Sequence, residues 1–215
     1  MSVRAVIFDL DGTLVDTLED IGESMNSVLK SRNMPVHSID QYKYFVGEGM
    51  EVLARRSMPA NSKDELVMDC LEEMKHEYRS RWNKKSKPYA GIDELLNQLE
   101  EKKIRIAVLS NKPHEFTVEM VQHFFGRRFS PVLGAGIFPI KPNPHAVLHI
   151  KDILGFSADQ FVYLGDSGVD MKTAKAAGVY AVGVLWGFRT ADELKEYGAD
   201  LLIEKPLDLL SSVDM

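Results

Sequence analysis

The stretch Asp9-Leu10-Asp11-Gly12-Thr13-Leu14-Val15-Asp16 places two carboxylates two residues apart at the end of a short apolar run. Carboxylates so close disfavour each other's ionisation, and a nearby cation or a raised pKa on one of them relieves the repulsion. Gly12 lets the backbone turn sharply behind them. The pattern is that of a cation site, or of a carboxyl kept protonated. It equally describes a strand that ends in a solvated turn, where Asp and Gly are common.

Other polar groups sit in corresponding places. Ser110-Asn111-Lys112 follows one apolar run, and Gly165-Asp166-Ser167-Gly168-Val169-Asp170 follows another, with Lys141-Pro142 between them. Each has a plain structural reading. Ser110 and Asn111 could cap a helix. Lys141 could be one more solvated lysine. Asp166 could belong to a turn, and Asp170 to the exposed first turn of a helix. Those readings do not explain why the groups recur at corresponding strand ends.

The elements that must position them are four runs: Val3–Phe8, Ile104–Leu109, Phe161–Leu164 and Val179–Val184. Continuous apolar runs predict strands buried on both faces. Strands alternating with helical patterns predict an open parallel sheet, whose ligands bind beyond the carboxyl ends of the strands. Ile92, Leu95, Leu96 and Leu99 fall on one helical face. Asn143-Pro144 reads as a helix start, with Pro144 at the first helical position.

From Leu18 to Trp82 the pattern changes. Leu18, Ile21, Met25, Val28 and Leu29 form one helical stripe, and Val67, Cys70, Leu71, Met74 and Tyr78 form another, with no strand between. The polar stretch Asn83 to Pro88 leads back to the core. The chain is therefore expected to be an α/β protein with a Rossmann-like open parallel sheet and an inserted all-helical cap. Residues 1–17 and 84–215 would form the core, and residues 18–83 the cap.

A net charge of −6, with Lys and Arg spread along the chain, argues against a nucleic-acid partner. Cys70 is the single cysteine, so no internal disulfide forms, which fits a reducing compartment. Met1 to Leu14 is not a signal peptide. No stretch reaches the roughly 18 apolar residues of a membrane span. A cytoplasmic, soluble protein is expected, as monomer or homodimer.

In Asp9-Leu10-Asp11-Gly12-Thr13, Ser110-Asn111, Lys141-Pro142 and Gly165-Asp166 with Asp170, in that order and spacing, the chain resembles the haloacid dehalogenase superfamily over essentially its whole length. The resemblance implies a role for each residue. Asp9 would be the nucleophile that forms an aspartyl phosphate. Asp11 would be the general acid and base. Mg²⁺ would be held by Asp9, Asp166 and the backbone carbonyl of Asp11, with Asp170 touching the metal or its waters, or orienting Lys141. Ser110 and the Asn111 N–H would bind phosphoryl oxygens, Lys141 would balance charge in the transition state, and Thr13 would help position Asp11.

Asp11 argues for phosphoryl chemistry, because a halide leaving group needs no proton. Phosphonate-cleaving members need a cap lysine, for which Lys30 and Lys43 are the candidates, and sugar-phosphate mutases share every core motif. The nearest resemblance is to phosphoglycolate phosphatases. It rests on the cap loop Val46-Gly47-Glu48-Gly49-Met50, on Ser110-Asn111-Lys112, and on Trp186-Gly187-Phe188-Arg189 with Gly198-Ala199-Asp200. Gly47, Glu48 and Gly49 would then meet a small phosphorylated metabolite. Pyrophosphatases carry similar stretches, and Gly134–Phe138 departs from the acidic residues many relatives have there. Arg55 and Arg56 are candidates for a substrate carboxylate, although exposed helix arginines are the commoner case. A catalytically silent binding module, or a dimeric scaffold that uses the cap as a packing surface, is the alternative class. Retention of Asp9, Asp11, Lys141 and Asp166 argues against the silent module, and the apolar stripes that would serve a scaffold are more often simply core.

Overall fold

Successive residues of a strand face opposite ways, so a run that is apolar throughout must be covered on both sides. In the computed structural model, which describes residues 2–215, this is how the runs are used. Met1, the first residue of the expected core, lies outside the described residues. On strand β1 (Ala5–Phe8), Val6 and Phe8 enter one apolar cluster, while Ala5 and Ile7 enter another on the opposite face.

After β1 the chain makes the short strand β2 (Val15–Asp16) and four helices: α1 (Leu18–Ser31), α2 (Ile39–Tyr42), α3 (Met50–Ser57) and α4 (Asp64–Arg79). Strand β3 (Lys87–Pro88) then pairs antiparallel with β2. The two-residue ribbon thus joins the outgoing and returning chains. Asp20 reinforces it by accepting hydrogen bonds from the backbone N–H groups of Lys85 and Ser86 and from the Ser86 hydroxyl. Both helical stripes read from the sequence are buried, and α1 packs on α4.

The remaining elements are α5 (Ile92–Glu101), β4 (Arg105–Pro113), α6 (His114–Phe125), β5 (Val132–Ala135), α7 (His145–Leu154), β6 (Phe161–Gly165), α8 (Gly168–Ala176), β7 (Tyr180–Val184), α9 (Ala191–Glu196), β8 (Leu201–Ile203) and α10 (Asp208–Ser212). The main sheet is parallel throughout, in the order β5-β4-β1-β6-β7-β8. Its flanking helices divide between the two faces. Buried residues of α5, α6 and α10 join one cluster, and those of α7, α8 and α9 join the other.

The main sheet has two strands beyond the expected four, and the β2-β3 ribbon is a further one outside that expectation. β5 and β8 are short edge strands whose apolar residues are too few to stand out from a loop. Helix α7 begins at His145, one residue later than the Asn143-Pro144 pattern suggests, and Asn143 Oδ1 accepts from the His145 N–H across 3.0 Å. No helix among the described residues is long and apolar enough to cross a membrane.

Candidate active site

Strand β1 lies between β4 and β6, and the chain crosses from one side of it to the other. In an open parallel sheet this switch leaves a crevice at the carboxyl edge, where ligands bind. The first residues beyond β1 and β6, and the last ones of β4, are the polar groups singled out above. Asp9 continues the ladder through its N–H to Leu164 O, 2.9 Å away. The chain then turns back on itself, and the N–H groups of Thr13, Leu14 and Val15 all reach Leu10 O. Gly12 makes that turn at φ +85°, and a Cβ there would overlap the Asp166 carboxylate. Only glycine lets the two chain segments approach so closely.

Asp11 Oδ1 is held by two donors, Thr17 Oγ1 and Lys112 Nζ, each at 2.7 Å. Its other oxygen accepts no hydrogen bond from the described residues. Asn111 ties the end of β4 to the loop bearing Lys141. Its Oδ1 accepts from the Lys141 N–H at 2.8 Å, and its Nδ2 donates to Lys141 O and, across the cleft, to Gly47 O, both at 3.1 Å.

Lys141 Nζ stands 2.6 Å from Asp170 Oδ1 and 2.8 Å from Asp9 Oδ1. The contact with Asp9 is an ion pair set off the hydrogen-bonding direction, so Asp9 Oδ1 accepts no hydrogen bond. Asp170 is satisfied on both oxygens. Oδ1 takes Lys141 and the Tyr163 hydroxyl, and Oδ2 takes the Ser167 N–H and hydroxyl in a capping box at the start of α8. Asp166 accepts from Thr13 Oγ1 at 3.3 Å and from the Phe188 N–H at 2.8 Å.

Three buried carboxylates, Asp9, Asp166 and Asp170, thus crowd around one ammonium, with a ligand atom of each within 4.8 Å of the others. Burial, and then the charge of Asp170, raise Asp9 well above the ordinary carboxyl range. The same two causes raise Asp166 to about 7. Burial works against the charge on Lys141, but Asp170 and Asp9 more than offset it and hold its pKa well above the usual lysine value. The surplus of buried negative charge, with an unbonded oxygen on Asp9, suits a hard divalent cation with oxygen ligands. Asp9 and Asp166 could hold it, since Asp166 accepts one hydrogen bond on each oxygen whereas each oxygen of Asp170 accepts two.

Asp9, Asp11, Ser110, Asn111, Lys141, Asp166, Gly47 and Gly49 line one cavity of about 40 Å³, roofed by Met50, Leu53 and Met74 of the cap helices. The cavity has room for a few water molecules. Other expected site residues lie elsewhere. Thr13 is fully buried and faces Asp166, while the contact with Asp11 expected of it belongs to Thr17, because the turn at Gly12 points the Thr13 side chain across to β6. Glu48 pairs with Arg56 at 2.5 Å, away from the cavity. Arg55 pairs with Asp64 at 2.7 Å and Glu51 at 3.4 Å. Neither arginine lines the cavity, nor do Lys30, Lys43 or the segment Gly134–Phe138.

Residues that the sequence reading did not single out for a role complete the site: Thr17, Lys112, Tyr163, Ser167 and Arg189. For Lys112 a signal existed, since it stands two residues after Ser110 on the same strand, and alternate strand residues share a face. Arg189 donates to the carbonyls of Lys43 and Val46, the latter at 2.8 Å, and so ties the loop after β7 to the cap loop. Nothing in the local sequence marks that contact.

A family model for haloacid dehalogenase-like hydrolases matches residues 6–184. Among curated relatives, a phosphoglycolate phosphatase of Xanthomonas campestris pv. campestris is 31% identical over 96% of this chain and 94% of its own. One of Aliivibrio fischeri is 27% identical over 99% of this chain and 97% of its own. Among solved structures, one from Lactobacillus delbrueckii subsp. bulgaricus, described as a candidate phosphoglycolate phosphatase, superposes with a TM-score of 0.91. It is 29% identical, and 97% of each chain is covered.

Proposed function

The chain belongs to the haloacid dehalogenase-like hydrolases, in which it is a phosphatase, and on that premise we propose a magnesium-dependent phosphomonoesterase acting through an aspartyl phosphate on Asp9, with 2-phosphoglycolate as its preferred substrate. The observation that supports the mechanism is that Asp9 meets Lys141, with Asp11 two residues on, in one cavity. The substrate rests on the names of the relatives. The enzyme acts on a small phosphorylated metabolite in the cytoplasm.

A carboxylate oxygen of Asp9 attacks phosphorus, and the ester P–O bond breaks as Asp11 gives its proton to the leaving oxygen. Water then attacks the aspartyl phosphate. Asp11 takes the water's proton, the bond from phosphorus to Asp9 breaks, and inorganic phosphate and the free carboxylate result. Ser110 and the Asn111 N–H bind the phosphoryl oxygens, and Lys141, oriented by Asp170, balances their charge in the transition state. Mg²⁺ held by Asp9, Asp166 and the Asp11 carbonyl would supply the positive charge that lets an anionic nucleophile approach an anionic phosphate.

The test is phosphate release from a panel of small phosphomonoesters, pyrophosphate and phosphonates, with and without Mg²⁺. A clear preference for 2-phosphoglycolate, lost on chelation and restored by Mg²⁺, is the expected result. A preference for pyrophosphate or a sugar phosphate would keep the mechanism and discard the substrate. Turnover that survives chelation would remove the metal.

A further inference from the structure

A phosphatase selective for a carboxylated ester needs a cation for the carboxylate, placed just beyond the leaving oxygen. Arg55 and Arg56 face acids outside the cavity. Three cations line it: Lys141, Lys112 and Arg189. Lys141 is committed to Asp9 and Asp170. Arg189 is committed to two cap carbonyls and to Glu193. Lys112 is different. Its ammonium carries three donor hydrogens, and one carboxylate takes them, Asp11 through Oδ1.

The surroundings of Lys112 are unusual. It is 5% exposed, a buried charge with one carboxylate partner. The ammonium stands 4.7 Å from the centre of the Tyr78 ring, on cap helix α4. The Tyr78 side chain is itself fully buried against it. The Lys112 ammonium lines the cavity and so has donor capacity beyond Asp11, with the Tyr78 phenol packed beside it from the cap. A buried ammonium with a donor to spare, which has no acceptor lone pair, selects an anionic acceptor.

Resting on the phosphatase reading above, we propose that Lys112 is the specificity-determining residue of the site. It receives the carboxylate of the substrate's leaving group. Position supports this. Asp11 must touch the ester oxygen to protonate it, and Lys112 touches Asp11. In 2-phosphoglycolate the carboxylate is joined to the ester oxygen through a single methylene, so a leaving oxygen at Asp11 sets the carboxylate beside the ammonium. A neutral tail in that place would leave buried donors unpaired, which is how a polar site rejects an analogue.

The experiment compares three esters of similar length: 2-phosphoglycolate, 2-hydroxyethyl phosphate and 2-aminoethyl phosphate. Their tails are anionic, neutral and cationic. In wild type, kcat/KM should fall in that order. In Lys112→Met the ratio of 2-phosphoglycolate to 2-hydroxyethyl phosphate should fall about 10- to 100-fold, the worth of a hydrogen bond to a charged group. Lys112→Arg should keep the anionic preference. If Lys112 serves only to hold Asp11, Lys112→Met lowers all three esters alike, the ratio stands, and the inference is overturned. A wild type indifferent to tail charge overturns it too, with the phosphatase reading intact. No phosphate release from any ester overturns both.

Discussion

Thr17 Oγ1 donates to Asp11 Oδ1 across 2.7 Å, so the residue that opens the first cap helix holds the carboxyl expected to move the proton. Thr17 occupies the N-cap position of α1, yet its side chain makes no capping hydrogen bond there. The helix forgoes about 1 kcal/mol of capping, and the hydroxyl serves the site instead. Asp11 is thereby linked to the orientation of the cap.

Thr17→Val should accordingly lower kcat on the order of tenfold, within the range of general acid–base contributions. Melting temperature should change little, because the lost hydroxyl caps nothing. Thr17→Ser should restore most of the rate. Steady-state kinetics beside a thermal melt check both halves, and equal losses in rate and stability would show a structural role alone.

Asp9→Asn should abolish turnover and leave the fold intact, since the amide is nearly isosteric but a poor nucleophile. Burial and Asp170 disfavour the ionised form of Asp9, so the neutral amide should also raise the melting temperature in metal-free buffer. Full activity in this variant would exclude the covalent route.

Asp166 gives a pH dependence with a definite sign. Its folded pKa, about 7, lies above the ordinary carboxyl value of roughly 4. Folding therefore favours the protonated acid. The associated stability is complete below the unfolded pKa and is lost as pH rises through about 7. Metal-free wild type should lose melting temperature across that window, and Asp166→Asn should lose less. Mg²⁺ should raise the wild-type melting temperature most above the window, since it binds the ionised form. Melts in chelator and in Mg²⁺ across pH decide the matter, and parallel curves for the two proteins would contradict it.

Arg189→Ala should loosen the cap loop. The guanidinium holds the carbonyls of Lys43 and Val46 and lies over the Tyr44 ring at 5.6 Å. Without it, amide exchange over residues 43–49 should accelerate, and KM should rise roughly tenfold, as for a loop that closes over its substrate less often. Hydrogen exchange read by mass spectrometry would show the first effect. Unchanged exchange would mean that Asn111 and the cap helices hold the loop without Arg189.

Much of this molecule is legible in one dimension. The runs at Val3–Phe8 and Phe161–Leu164 are apolar at every position because their strands are covered on both faces, and continuous burial leaves that trace in sequence. The stripes of α1 and α4 are as clear, since helices that pack along one side must repeat near 3.6 residues. Asp9, Asp11, Lys141 and Asp166 stand out by type and spacing, because chemistry at the carboxyl edge must recur at successive strand ends. What required the tertiary structure was the direction of side chains beyond those ends. Thr13 and Thr17 are both close to Asp11 in sequence, and the turn at Gly12 decides that Thr17 reaches it. Arg55 and Arg56 have the charge for a carboxylate, but helix α3 presents them to Glu51, Asp64 and Glu48 outside the cavity. Lys112 meets Asp11 across 101 positions of chain. A contact of that separation is set by which strands lie side by side in the sheet, and no local periodicity carries it.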